Sequence, residues 1–206
     1  IYDDVMQCSN FGNIYFIRQK ETKGLGHAVL CAKSVVGDEP FAVLYGDDVI
    51  LSETPVTKQL CDAYENYGKG AVGVKEVSDT AITKYCSLAV EPIEDNCYNC
   101  TDMIEKPLPE EIMSNYSILG RVVMPPEIFD ILEKTPLCAG NELQLTDAMK
   151  TLSRTKGVVA VDYEGTRYDM GNKFGILQAN IEVGLKHPET RDELKAYLKE
   201  IAKELD

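Results

Sequence analysis

The stretch RQKETKGLGHAVLCAKSVVGDEPFAVLYGDD, residues 18–48, changes its apolar period twice. From Gly24 onward, Leu25, Ala28, Val29, Ala32 and Val36 recur at three- and four-residue intervals, which places them on one face of a helix. Gly37-Asp38-Glu39-Pro40 ends that helix. Phe41 to Tyr45 is then apolar without interruption, the pattern of a strand covered on both faces in a parallel sheet. It stops at Gly46-Asp47-Asp48. A helix, a break, a buried strand and an acidic turn in that order predict an α/β sheet, with ligands expected beyond the carboxyl ends of its strands.

The flanking sequence extends the rhythm. Asn13 to Arg18 (NIYFIR) is rich in β-branched and aromatic residues and predicts a strand. Residues 54–68 carry Val56, Leu60, Ala63, Tyr64 and Tyr67 in helical register, and Ala71 to Val77 predicts another strand. The first 80 residues therefore alternate β-α-β-α-β, the order of right-handed crossovers and a mostly parallel sheet. Residues 85–123 break this alternation with three strand-like pieces and predict a small β-rich insertion with a return strand. Helices follow at 126–134 and 142–155, a strand at 157–163, and helices at 172–186 and 189–205. No repeat, low-complexity tract or linker divides the 206 residues, so a single domain, 1–206, is expected.

Net charge is −13 and the pI about 4.6, which disfavours a nucleic-acid backbone or an anionic membrane as partner. No apolar run approaches the roughly 18 residues that span a bilayer. The seven cysteines are odd in number and scattered, as free thiols of a reducing cytoplasm are. Cys97-Tyr-Asn-Cys100 is a lone CxxC, expected in a polar β-turn; zinc would need two further ligands.

Three clusters could carry chemistry. Gln19, Lys23, Gly24 and Gly26 stand at a strand-to-helix junction, where backbone amides suit anions or base edges and an amide side chain can read a pyrimidine. A plain loop also uses glycine there. Asp47 and Asp48 close a strand and could hold Mg²⁺ against a phosphate, although a Gly-Asp-Asp turn accounts for them equally well. Glu105-Lys106-Pro107 sets an acceptor for hydroxyls beside an ammonium, and two solvated edge charges is the simpler reading.

Taken together, RQ…KGLGHAVLCAKSVVGDEPFAVLYGDDVI, EKP, GRVVMPPEIFDIL, GNELQLTDAM and YDMGNKFG, in this order, resemble the bacterial UTP–glucose-1-phosphate uridylyltransferases over essentially the whole chain. The resemblance implies a Rossmann-like nucleotidyltransferase fold and the conversion of UTP and glucose 1-phosphate to UDP-glucose and pyrophosphate with Mg²⁺. It implies Gln19 and Gly24 at the uracil, and Asp47 and Asp169 on the metal. Glu105, Gly120 and Cys86 would line the sugar pocket, Lys106 would meet the sugar phosphate, and Lys173 would lie near a phosphate. It further implies a cytoplasmic homodimer or homotetramer. A relative using dTTP or another sugar 1-phosphate, and a non-catalytic sugar-nucleotide binder, are the alternatives.

Two departures from the family pattern stand out. The family's G-x-G-T-R loop, followed by P-K, occurs nowhere in the chain, so an N-terminally truncated domain, inactive alone, is expected. Where the family has Tyr-Gly, this chain has Tyr85-Cys86, whose side chain either crowds the sugar or enters the core.

Overall fold

A computed structural model describes residues 2–8, 10, 12–138 and 140–204, without the side chains at 4, 5 and 8. Helices α1 (Tyr2–Cys8), α2 (Leu25–Cys31) and α3 (Lys33–Val36) precede the first strand, β1 (Phe41–Leu44). A short β2 (Asp48–Leu51), helix α4 (Val56–Tyr67) and β3 (Gly70–Glu76) follow. Strands β4 (Cys86–Glu94), β5 (Cys97–Glu105) and β6 (Tyr116–Met124) come next, then helices α5 (Glu127–Lys134) and α6 (Leu145–Thr155). The chain continues through β7 (Val158–Asp162), β8 (Thr166–Asp169), α7 (Lys173–Gly184) and α8 (Arg191–Ala202).

Six strands form one sheet in the order β1-β6-β3-β7-β5-β4. The α/β class holds, but the mostly parallel pairing expected from the alternation does not. Among the described residues only β3 and β7 pair in parallel; β6 runs antiparallel between β1 and β3, and β5 antiparallel between β7 and β4. Nor is Phe41–Leu44 covered on both faces: β1 is an edge strand, Phe41 and Val43 pack on the core while Ala42 and Leu44 are exposed, so an uninterrupted apolar run does not by itself report burial on both faces or a parallel neighbour. Residues 85–123 likewise form no separate insertion, because all three of their strands belong to this sheet.

The alternation of side chains along each strand divides the core in two. Val72, Val74, Val158 and Ala160 point to the face covered by α2, α5 and α6; Ala71, Val159 and Val161 point to the face covered by α4. The helices supply apolar stripes at helical spacing: Val56, Leu60 and Ala63 on α4, and Leu145, Ala148, Met149 and Leu152 on α6. Phe129 of α5 stacks on Phe41 of β1 with ring centroids 4.9 Å apart. Cys97 and Cys100 lie in β5, not in the turn before it. Cys97 packs against one core cluster and Cys100 belongs to the other, so the two thiols face away from each other and cannot share an ion.

Residues 13–18 form no strand. Phe16 is 96 % exposed, and Ile14, Tyr15 and Ile17 are exposed with it. β propensity describes how a residue fits a pleated, paired surface, and among the described residues no strand pairs with this segment. No helix among the described residues is long and apolar enough to cross a membrane.

The glycines of KGLGHAV have a structural use. The Leu143 N–H donates to the Lys23 carbonyl at 2.7 Å, and the Gly26 N–H donates to the Leu143 carbonyl at 2.9 Å. A β-carbon on Gly26 would stand 2.7 Å from that same carbonyl oxygen, and one on Gly24 would stand 2.9 Å from it. The glycines make room for the chain's own peptide at Leu143, which ties the start of α2 to the segment leading into α6. Gly26→Ala is expected to lower stability by about 1–3 kcal/mol through overpacking. Gly12→Ala, with nothing within 4 Å of its β-carbon position, should be close to neutral. Urea unfolding of both variants checks this, and an unchanged Gly26→Ala midpoint would contradict it.

Candidate functional site

Two four-residue strands assemble the site. β2 and β8 pair antiparallel with Asp48 directly opposite Asp169, and the Met170 N–H donates to the Asp47 carbonyl at 2.7 Å. Asp47, just before β2, and Asp169, the last residue of β8, are thereby brought side by side. Their carboxylates flank one point in space. A β-carbon on Gly171 would lie 3.0 Å from Asp169 Oδ1 and 3.1 Å from Asp47 Oδ2. Glycine at 171 keeps that gap open.

Asp169 is held ionised. Burial opposes its charge, but hydrogen bonds from Asn172 and the Gly171 N–H, the Arg167 charge and the Tyr85 hydroxyl together hold its pKa below the usual carboxylate range. The Tyr85 hydroxyl donates to Asp169 Oδ2 at 3.2 Å and the Gly171 N–H to Oδ1 at 2.9 Å.

Asp48 has a different task from Asp47, which the shared Gly-Asp-Asp motif conceals. Asp47 is exposed, whereas Asp48 is buried and accepts from Arg167 Nε at 2.6 Å. Arg167 also lies 3.9 Å from Asp169 Oδ2 and sits over the Tyr85 ring, 5.5 Å from its centroid. Burial pushes the Asp48 carboxyl above its ordinary range, the neighbouring carboxylates of Asp47 and Asp169 add to this, and Arg167 opposes it. Arg167 belongs to none of the motifs that mark the site in the sequence. The one signal available was its spacing of two from Asp169, which in a strand puts both side chains on the same face.

These groups line a cavity of 230 Å³ together with Glu105, Cys86, Gln144 and Thr146. Glu105 Oε2 accepts from the Thr146 hydroxyl at 2.8 Å, at the start of α6. Cys86 is paired with Glu105 across β4 and β5. Its thiol is buried, meets Ser117 Oγ at 3.5 Å and accepts the Ile118 N–H at 3.3 Å. Burial pushes that thiol up to about 11, so it stays neutral. Gly120, at φ 90°, lies against Asp48: a β-carbon there would be 3.3 Å from Asp48 Cβ.

Five candidates are not among the cavity's lining: Gly120, whose neighbour Leu119 does line it, and Lys106, Lys173, Gln19 and Gly24. Lys106 is exposed, takes φ 46° and donates its N–H to the Tyr85 carbonyl at 2.7 Å. Lys173 opens α7 and is exposed. Gln19 and Gly24 are bonded to one another beside the cavity, which the next residue, Leu25, does line. A larger, apolar cavity of 720 Å³ lies between β8, α7 and α8 and holds none of the candidate residues.

The family model for nucleotidyl transferases matches residues 2–184. The UTP–glucose-1-phosphate uridylyltransferase YngB of Bacillus subtilis is 45% identical over 97% of this chain and 67% of its own length. A Staphylococcus epidermidis enzyme of the same name is 44% identical over 98% of this chain and 70% of its own length. A UDP-glucose pyrophosphorylase complexed with UDP-glucose superposes with a TM-score of 0.80 at 37% identity, covering 84% of this chain and 66% of that one. The UTP-bound enzyme from Acinetobacter baumannii superposes at 0.84 and 32% identity, covering 97% and 71%. The chain thus spans about two thirds of the length of the relatives it matches.

The Asp48–Arg167 pair generates a stability prediction. Removing one partner of a buried ion pair leaves the other uncompensated, so Arg167→Gln should cost about 3 kcal/mol. The double change Asp48→Asn with Arg167→Gln leaves no orphaned charge and should recover part of that loss. Denaturant titration of Asp48→Asn, Arg167→Gln, the double variant and the unsubstituted chain measures the coupling; strictly additive losses would show the pair is not coupled.

Proposed function

The chain belongs to the nucleotidyl transferase family, and from that premise we propose that it carries the base, sugar and metal positions of a UTP–glucose-1-phosphate uridylyltransferase. In the reaction a phosphate oxygen of glucose 1-phosphate attacks the α-phosphorus of UTP in line. The bond from that phosphorus to the β-phosphate oxygen breaks, pyrophosphate leaves with the bonding electrons, and UDP-glucose remains. Such a transfer asks of the protein mainly positioning and charge neutralisation.

One observation carries the reading: Asp47 and Asp169 converge across a gap that glycine keeps open, in the same cavity as Glu105. Two hard oxygen donors with no third ligand suit Mg²⁺, which is held by one or two carboxylates and keeps its other positions for water and substrate phosphate. Among the described residues no three His, Cys, Asp or Glu side chains make a closed metal cage. The ion, when bound, would offset charge on the phosphates. Asp47 and Asp169 would hold it, the Tyr85 hydroxyl and the Gly171 N–H would orient Asp169, and Glu105, steadied by Thr146, would accept sugar hydroxyls. Lys106 and Lys173, both exposed, would turn toward phosphate, and Gln19 beside Gly24 would contact the base. The buried Cys86 thiol leaves the sugar pocket to the backbone of its strand.

The sequence contains no G-x-G-T-R segment, and its net charge of −13 provides no other obvious cluster of cations for a triphosphate. The 206 residues alone are therefore expected not to turn over. The test is pyrophosphate release from UTP, glucose 1-phosphate and Mg²⁺ by the chain alone, and by the chain fused to the unmatched part of the Bacillus subtilis relative. Activity should arise in the fusion only, and Asp47→Ala or Asp169→Ala in the fusion should lower kcat by about a hundredfold or more without loss of fold. A fusion that is inactive, or one indifferent to both substitutions, would sink the proposal.

A further inference from the structure

We infer that His27 is a specificity-determining residue that fixes which end of the Gln19 amide faces the base; this rests on the proposed role of Gln19 as a base contact. The side-chain nitrogen of Gln19 donates to the Gly24 carbonyl at 3.2 Å and meets His27 Nδ1 at 2.9 Å. A carbonyl oxygen only accepts, so the amide nitrogen must be the atom turned toward Gly24. The second amide hydrogen is then the one that meets His27, and Nδ1 accepts it. The imidazole accordingly carries its proton on Nε2, where Cys31 Sγ stands 4.0 Å away.

Both amide hydrogens of Gln19 are engaged, and among the described residues no hydrogen bond reaches its Oε1. A freely rotating glutamine can offer a donor or an acceptor to a ligand. Held in this way, Gln19 offers an acceptor. At the N3 position uracil and thymine donate, while cytosine accepts. The contact therefore admits pyrimidines with an N3 proton and rejects cytosine, and it does not separate uracil from thymine. His27 is suited to this because it lies near the start of α2, a helix whose position is fixed by the hydrogen bonds joining Lys23 and Gly26 to Leu143.

The test is competition among UTP, dTTP and CTP for the chain, read by saturation-transfer NMR, which registers weak binding without turnover. The unsubstituted chain should favour UTP and dTTP over CTP by about tenfold, the size of one base-edge contact. His27→Leu should reduce that preference to about threefold or less. His27→Gln, whose side-chain carbonyl can still accept from Gln19, should restore it, and a merely structural role for His27 would not produce that rescue. If Gln19→Ala abolishes the preference while His27→Leu keeps it, the inference about His27 is overturned and the base contact stands. If the unsubstituted chain shows no preference, or Gln19→Ala keeps it, the base contact itself is wrong and the inference falls with it.

Discussion

The pairing of β2 with β8 is the contact on which the site depends. Each strand is four residues long, and a two-stranded ribbon of that size is marginal in water. It persists here because other elements clamp it. Ile50 packs against the core beneath α4. Gln59 of α4 donates to the Glu164 carbonyl at 2.9 Å and accepts the Glu164 N–H at 2.9 Å, which fixes the turn into β8. Ser52 Oγ donates to the same carbonyl at 2.6 Å. Arg167 then reaches from β8 to Asp48 of β2. The ribbon is thus a platform built from the large sheet outward, and its free end holds Asp47 and Asp169 together.

Electrostatics gives this arrangement its division of labour. Three aspartates close together would repel one another, and the chain already carries a charge of −13. Arg167 answers chiefly Asp48, in a buried pair at 2.6 Å, and Asp169 more weakly at 3.9 Å, which leaves Asp47 and Asp169 as the pair proposed to share a cation. Tyr85 links the two halves of the arrangement, donating to Asp169 while its ring lies under Arg167. Glu105 has a neutral partner of its own, the Thr146 hydroxyl. Each carboxylate in the cavity therefore has a distinct environment, as the proposed meeting of a sugar, a phosphate and an ion in one pocket requires.

Much of the fold was legible because burial writes itself into periodicity. The Val56–Leu60–Ala63 stripe and the Val158–Asp162 run became the elements their patterns predict, and Phe41 to Leu44 became a strand, though at a sheet edge with one face exposed. Strand direction was not legible, since burial on both faces says nothing of how neighbours run. The β2/β8 ribbon was missed for the related reason that Asp48–Leu51 and Thr166–Asp169 owe their strand conformation to each other. Residues 13–18 show the converse: strong β residues with no pairing strand. In the site, Asp47, Asp48, Cys86, Glu105 and Asp169 do line one cavity. Sequence could not separate the exposed Asp47 from the buried Asp48, nor decide that the Cys86 thiol turns to Ser117, because both depend on neighbours distant in the chain. Arg167 escaped notice because a lone arginine in a short polar stretch has the pattern of a solvated charge.

The central claim is that the open gap between Asp47 and Asp169 is a cation site. Gly171→Ala tests it most directly, because it retains both carboxylates and adds a methyl 3.0 and 3.1 Å from their oxygens. Mn²⁺ binding, followed by electron paramagnetic resonance as a stand-in for Mg²⁺, should weaken by about tenfold or more in this variant, the scale on which metal sites respond to disturbance of the groups around their ligands, while the melting temperature changes little. An unchanged Mn²⁺ affinity in Gly171→Ala would contradict the account.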